Sequence, residues 1–124
     1  GHWCPVDPNT FESRLVPGIH VIGDACIADA MPKSGYSANV QAKVCALNVA
    51  ALMNGRETVA MSALNVCYSF ITEREAVSIA AVYRATGGKI VAVPNAGGVS
   101  PDLSEAEAVH AQDWLRNILA DMST

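Results

Sequence analysis

Apolar residues recur at three- and four-residue spacing between Ser34 and about Asn54, and this period predicts one long helix. Ser34 is suited to the N-cap position, and Gly55 is suited to end the helix. The apolar side chains fall on two faces, one with Tyr36, Val40, Val44, Leu47 and Ala51 and the other with Ala42, Cys45, Val49 and Leu52. A helix that is apolar on two faces is expected to pack on more than one side.

Short apolar runs without the helical period predict strands. Ile19–Ile22 is continuous, as is typical of a parallel strand that is buried on both faces. Three further runs, Val66–Thr72, Ala76–Arg84 and Lys89–Val93, are rich in Val, Ile and aromatic residues and are joined by short polar or Gly-rich connections. They predict an antiparallel meander, which is followed by a Gly- and Pro-rich loop over residues 94–101.

The last part of the chain predicts a second helix. Ser104-Glu105-Ala106-Glu107 has the form of a capping box, and the helix that follows has one apolar face, made of Ala111, Leu115, Ile118, Leu119 and Met122. Residues 1–18 are predicted to be mostly loop, with Phe11 as an anchor on the core. The predicted fold class is therefore α/β (α+β): a buried strand and a long helix, then a three-stranded antiparallel sheet with a C-terminal helix.

The composition is apolar for a chain of 124 residues, with 51% hydrophobic residues and a mean hydropathy of +0.24. It fits either an Ala- and Val-rich soluble core or an apolar surface that needs a partner. The formal charge of −4 gives no electrostatic footprint for nucleic acid. Polar residues interrupt the long helix, so no apolar run is long enough to span a bilayer.

Candidate chemistry begins where the predicted strand ends. Gly23 and Asp24 follow the strand, and Lys33, Ser34 and Gly35 open the long helix. A glycine lets a ligand come close, and a neighbouring carboxylate can accept hydrogen bonds from sugar-like hydroxyls. The helix start adds unpaired N–H groups and a positive dipole end. This combination suits a flavin; the alternative is an ordinary turn aspartate and a helix cap with an exposed lysine.

The four cysteines show no metal-ligand spacing, because the sequence has no C-x-x-C and no His at ligand distance, and no metal site is predicted. Cys45 is predicted to lie in the core, and Cys67, in an apolar strand, would by itself be a small buried hydrophobic residue. Cys4 and Cys26 could lie near each other, although spacing alone does not show it. His20 is expected to be hydrogen-bonded in the interior.

Several segments resemble one group of flavoproteins. Ile19–Asp24 resembles the second FAD fingerprint of the two-dinucleotide-binding flavoproteins, and Met31–Asn39, with Gln41, is similar to the helix opening of their sulfide-oxidising members. Other segments resemble the flavoprotein subunit of flavocytochrome c sulfide dehydrogenase, namely Trp3–Asp7, Asn65–Ser69, Ser78–Arg84 and Trp114.

The resemblance implies that the chain is the C-terminal part of such a flavoprotein. Residues 1–60 would end the FAD-binding domain, residues 61–124 would form the interface domain, and the N-terminal half with its Gly-x-Gly-x-x-Gly motif would be missing here. FAD would then be bound in part by Gly23, Asp24, Lys33, Ser34, Gly35, Tyr36 and Trp114. For Trp114 the alternative role is simple packing.

The same resemblance implies an activity. Cys67 would be half of a redox disulfide near the flavin, with its partner cysteine in the missing half. Sulfide would attack this disulfide, and electrons would pass through the resulting thiolate to FAD and then singly to haem c on a c-type cytochrome subunit, in the periplasm. The fragment alone would be inactive, and its oligomeric state is open, a homo-oligomer included.

Two other interpretations compete with this one. A sulfide:quinone oxidoreductase would need an apolar, basic-rimmed surface to reach quinone in a membrane. The final helix argues against it, because Arg116 is its one basic residue beside four acidic residues, Glu105, Glu107, Asp113 and Asp121. The second competitor is a non-catalytic docking or dimerisation module that retains only the sheet.

Overall fold

A computed structural model describes residues 2–123 and confirms the α+β class. Two very short strands come first, and a single 3-10 turn, Gly23–Ala25, lies between them. A long helix, a three-stranded sheet and a second helix follow. In chain order the elements are β1 (Cys4–Pro5), β2 (Cys26–Ile27), α1 (Gly35–Met53), β3 (Ser62–Phe70), β4 (Ala76–Thr86), β5 (Lys89–Val99) and α2 (Glu105–Asp121).

The strand predicted over Ile19–Ile22 is not a regular strand in the structure. The segment pairs instead with the loop just before it, through an isolated bridge between Glu12 and His20. The backbone N–H of Val21 donates to the carbonyl of Phe11 at 2.9 Å, and Ile19 is 53% exposed. These local hydrogen bonds satisfy the backbone, so the segment is extended but joins neither sheet of the described chain.

The predicted meander is confirmed as an antiparallel sheet with the order β3-β4-β5. Its outer strand extends further than predicted, because β5 runs through Pro94 to Val99, where the sequence indicated a loop. The extension is compatible with proline because β5 lies at the edge of the sheet, where a missing N–H need not interrupt a ladder.

Helix α1 begins and ends where the sequence predicted. The Ser34 side chain caps it by accepting a hydrogen bond from the backbone N–H of Ser37 at 3.1 Å, and Asn54 forms the C-cap. Its most buried residues are largely polar: Ser37, Gln41, Cys45 and Asn48. Val40, Val44 and Val49 are partly buried against the core, whereas Leu47 is 57% and Met53 is 83% exposed. The helix is therefore joined to its surroundings by hydrogen bonds more than the apolar pattern indicated.

The described residues up to Asn65, together with Ala81–Ala96, form the first of two compact units. Phe11 is completely buried there, which confirms it as an anchor, and Cys45 also lies in the core, as predicted. The other members of this core are Val6, Cys26, Ala28, Met31, Met61, Ala63, Tyr83 and Ile90.

The second compact unit consists of Val66–Ala80 and the described residues from Gly97 onward. Ala76 and Ser104 exchange backbone hydrogen bonds of 3.0 and 3.1 Å at the start of α2. Ser104 caps this helix by accepting from the backbone N–H of Glu107, as the capping-box pattern predicted. The unit buries Ala76, Ala108 and Ala111, whereas the apolar face of α2 is largely exposed. The predicted domain division at residue 60 remains a prediction.

Candidate functional site

Gly23 anchors the 3-10 turn to α1. Its backbone N–H donates to Gln41 Oε1 at 2.7 Å, and its φ of 66° lies in the left-handed region that favours glycine. A Cβ at this position would lie 3.4 Å from the Cβ of Ala38. The left-handed φ accounts for a glycine here, whereas the distance to Ala38 would be an ordinary van der Waals contact.

Asp24, the residue most strongly predicted to bind a cofactor, lies in the middle of this turn and is exposed. Within residues 2–123 its carboxylate accepts no hydrogen bond, although its backbone carbonyl accepts one from Lys33 Nζ. The turn therefore does not use the carboxylate as a hydrogen-bond acceptor, and both of its oxygens can accept hydrogen bonds from hydroxyl groups of a ligand.

Lys33 makes three contacts, one of them to the turn. Besides the carbonyl of Asp24, its ammonium donates to the carbonyl of Cys26 at 3.0 Å. The same nitrogen lies 4.7 Å from the ring centroid of Trp3, within the range of a cation–π interaction. These contacts place a positive charge beside the Gly23–Asp24 turn. Lys33 is nevertheless exposed and Ser34 caps the helix, which the alternative interpretation also expected.

A polar cluster fixes the beginning of α1. Ser34 Oγ donates to Asn65 Oδ1 at 2.6 Å, and Ser37 Oγ donates to the same oxygen at 3.0 Å. Gly35, the first helical residue, is exposed, and Tyr36 is half-buried. The helix start is thus held in place by hydrogen bonds while its first residue remains accessible.

The first compact unit contains most of the predicted cofactor-binding residues: Gly23, Asp24, Lys33, Ser34, Gly35 and Tyr36. Direct contacts join the turn at Asp24 to Lys33, the residue before the helix cap. Cys67, half-buried in β3, and Trp114, half-buried in α2, belong to the second unit. Their predicted roles remain predictions.

Three supporting residues were not predicted as site residues: Trp3, Gln41 and Asn65. Gln41 contacts Gly23 across 18 positions of sequence, and Asn65 contacts Ser34 across 31. The ring of Trp3 contacts the ammonium of Lys33. The sequence did contain one signal, because all three lie inside the segments that resemble the flavoproteins. That signal did not specify their contacts.

The remaining candidate residues have structural roles. His20 Nδ1 lies 2.8 Å from the carbonyl oxygen of Thr10, which confirms the prediction of a hydrogen-bonded histidine. Burial raises the pKa of the Cys45 thiol. Within residues 2–123 no group of three His, Cys, Asp or Glu side chains is arranged to hold a metal ion. Neither helix of this described part is long and apolar enough to cross a membrane.

The polar and charged groups of the first unit fit a polyhydroxylated, electron-rich cofactor. An exposed carboxylate supplies acceptors, while a fixed ammonium and a helix N-terminus supply positive potential. Comparison with family models gives an independent result. The model described as flavocytochrome c sulphide dehydrogenase, flavin-binding, matches residues 59–123, which is more than half of the chain. The chain therefore belongs to the flavin-binding family of flavocytochrome c sulfide dehydrogenase.

Proposed function

We propose that this chain is the C-terminal part of a periplasmic flavoprotein that oxidises sulfide and passes the electrons to a c-type cytochrome subunit. The observation that carries the proposal is the family match over residues 59–123. The exposed carboxylate of Asp24, with the charge of Lys33 bound to the same turn, supports it from the other half of the chain. The N-terminal half of the flavoprotein would complete the site.

The residues of the first unit would hold FAD. Asp24 would accept hydrogen bonds from the cofactor's hydroxyls, and Gly23 would leave room for its approach. When bound, the flavin accepts an electron pair and can release the electrons one at a time. Lys33 and the start of α1, at Ser34 and Gly35, would stabilise negative charge, a helix dipole contributing about 0.3–1 kcal/mol at an exposed site. Tyr36 would supply an aromatic contact.

Cys67 would supply one sulfur of the redox disulfide, and its partner would come from the N-terminal half. A hydrosulfide ion that attacks this disulfide forms a new S–S bond with one cysteine and releases the other as a thiolate. Cys67 is only half-buried in β3, which is compatible with exchange chemistry. Because a disulfide needs an oxidising compartment to persist, the role also supports a periplasmic location.

The decisive experiment uses the intact flavoprotein with its cytochrome. Cys67→Ser is expected to lower sulfide-dependent cytochrome reduction by about 1,000-fold or more, as for the loss of a catalytic nucleophile, while the flavin absorbance is retained. Ser69→Ala is the matched control, because Ser69 is an exposed residue of the same strand. Unchanged turnover in Cys67→Ser would exclude the redox role.

A docking or dimerisation module is the second candidate function. The apolar side chains on α2 favour it, because Leu115, Leu119 and Met122 are 50%, 52% and 75% exposed. If the chain only docks, Leu119→Glu should abolish association while Cys67→Ser has no effect on any measured property. If the chain is part of a sulfide dehydrogenase, Cys67→Ser should abolish turnover without dissociating the complex.

A further inference from the structure

Cys4 and Cys26 face each other across the parallel pair β1–β2. They are direct register partners, as are Pro5 and Ile27 in the next position. Neighbouring strands lie about 4.8 Å apart, and paired residues place their side chains on the same face. A disulfide needs Cα atoms about 4.4–6.8 Å apart, so the backbone already has a spacing that allows a bridge.

Both thiols are engaged only in weak hydrogen bonds. Cys4 Sγ donates to Ser13 Oγ at 3.3 Å, and Cys26 Sγ donates to the carbonyl of Gly23 at 3.2 Å. Thiols are weak donors, so a side-chain rotation would cost little. Burial raises the pKa of the Cys26 thiol, the Lys33 charge opposes this, and nearby Cys4 adds to it.

We propose that Cys4 and Cys26 form a second oxidisable pair, distinct from the cysteine assigned to sulfide chemistry, whose disulfide ties the N-terminal strand to the segment before α1. The proposal does not depend on the proposed function. Cys45 lies on α1 and Cys67 on β3, outside the β1–β2 pair.

The oxidant is a low-molecular-weight disulfide, and the reaction is two exchanges. Half-buried Cys4 reacts first: its thiolate attacks the oxidant, forms a mixed disulfide and releases one thiolate. The Cys26 thiolate then attacks the Cys4 sulfur, which forms the internal bond and releases the second thiolate. Two electrons pass from the protein to the oxidant, and the two thiol protons end on the two released thiols.

The geometry around Cys26 explains why the second exchange can be internal. Cys26 is completely buried, so a bulky oxidant cannot reach its sulfur directly. The sulfur of Cys4, its register partner, lies on the neighbouring strand and can react with that of Cys26. A cavity of about 130 Å³ adjoins Cys26 on the side of Trp3, Met31 and Lys33.

Oxidised glutathione added to the full chain tests the proposal. The expected product has lost two hydrogen atoms by intact mass, and proteolysis without reductant should yield one cross-linked peptide pair that contains Cys4 and Cys26. The urea concentration at the midpoint of unfolding should be higher for the cross-linked chain than for the reduced chain, since a cross-link restricts the unfolded state. A persistent glutathione adduct at Cys4 with Cys26 reduced, or a cross-link through Cys45 or Cys67, would overturn the proposal.

Matched variants keep the test independent of folding defects. Cys4→Ser replaces the half-buried partner, should keep the circular dichroism of the parent and should lose both the cross-link and the rise in midpoint. Cys26→Ser should stop the reaction at the glutathione adduct on Cys4. Cys67→Ala is the control and should cross-link like the parent; loss of the cross-link in this variant alone would contradict the assignment.

Discussion

Ser34 and Asn65 are joined by a hydrogen bond of 2.6 Å from the serine hydroxyl to the side-chain amide oxygen. The hydroxyl of Ser37 donates to the same oxygen, and the backbone N–H of Ser37 donates to the Ser34 hydroxyl. Asn65 is only 4% exposed. One amide of β3 therefore holds the first turn of α1 in place.

The first prediction concerns this amide. Asn65→Ala leaves the buried hydroxyl of Ser37 and the half-buried hydroxyl of Ser34 without their acceptor, and an unsatisfied buried group costs about 1–3 kcal/mol. We expect a loss of about 2 kcal/mol in the free energy of unfolding, measured with urea. Asn65→Asp should lose less, because its carboxyl group retains the acceptor oxygen for both hydroxyls. Equal losses in the two variants would contradict the role of the amide oxygen.

The second prediction concerns Asn48, which is completely buried on α1. Its amide donates to the carbonyls of Asn9 and Val59 at 2.7 and 3.1 Å and accepts from the N–H of Val59 at 2.8 Å. Asn48→Ala should lower the free energy of unfolding by about 2–4 kcal/mol, since it leaves buried backbone groups unpaired. Asn117→Ala, the same change at an exposed position of α2, should alter it by less than about 0.5 kcal/mol.

The third prediction is a pH dependence at Asp7. Partial burial would raise the pKa of this carboxyl, but hydrogen bonds from Thr10 and Asn9 and the nearby Arg14 charge outweigh burial and hold the pKa below its ordinary value. A lowered pKa in the folded state means that the stabilisation is fully present above the unfolded value of about 3.9. It is lost as the pH falls through the folded pKa.

Asp7→Asn should therefore reduce the free energy of unfolding by about 1 kcal/mol at pH 7. The difference from the parent should shrink below about pH 4, as the aspartate protonates. Urea titrations at a series of pH values measure this, with exposed Asp102→Asn as the control. A difference that stays constant down to the lowest pH would show that the charge of Asp7 is not the cause.

The fourth prediction separates binding from stability at Asp24. Because its carboxylate is exposed and accepts no hydrogen bond from residues 2–123, Asp24→Ala should leave the free energy of unfolding of this chain within about 0.5 kcal/mol of the parent. In the intact flavoprotein the same change should weaken FAD binding by about 10-fold or more, as expected for a lost hydrogen bond to a charged group. Asp102→Ala should change neither property. Full FAD affinity in Asp24→Ala would exclude the cofactor role.

Local patterns were enough to predict the elements whose determinants are close in sequence. Both helices begin at a serine that caps its own first turn, and both caps were readable from spacing. The prediction of a strand over Ile19–Ile22 was wrong, because the backbone of this segment forms hydrogen bonds with the preceding loop and not with a sheet. The extent of β5 was missed because edge position, which permits Pro94, is a property of the sheet and not of the sequence.

The cofactor-binding role of the candidate site stays a prediction, and its residues were chosen from local signals. Gly23, Asp24 and Lys33 were identified because glycine, aspartate and the helix start are local signals. The cation–π contact of Lys33 with Trp3 spans 30 positions, and the hydrogen bond between Ser34 and Asn65 spans 31. Contacts of this kind depend on how distant segments pack, and no periodicity encodes them.

The three contacts of Lys33 have a consequence for the affinity with which a ligand can bind at the turn. A lysine side chain normally loses up to about 2 kcal/mol of rotamer entropy when it becomes ordered. Here the carbonyls of Asp24 and Cys26 and the ring of Trp3 already restrain the ammonium, so that loss occurs as the polypeptide folds. A ligand that binds at the turn therefore finds the ammonium already in position, and its affinity is not reduced by the entropy cost of ordering this side chain.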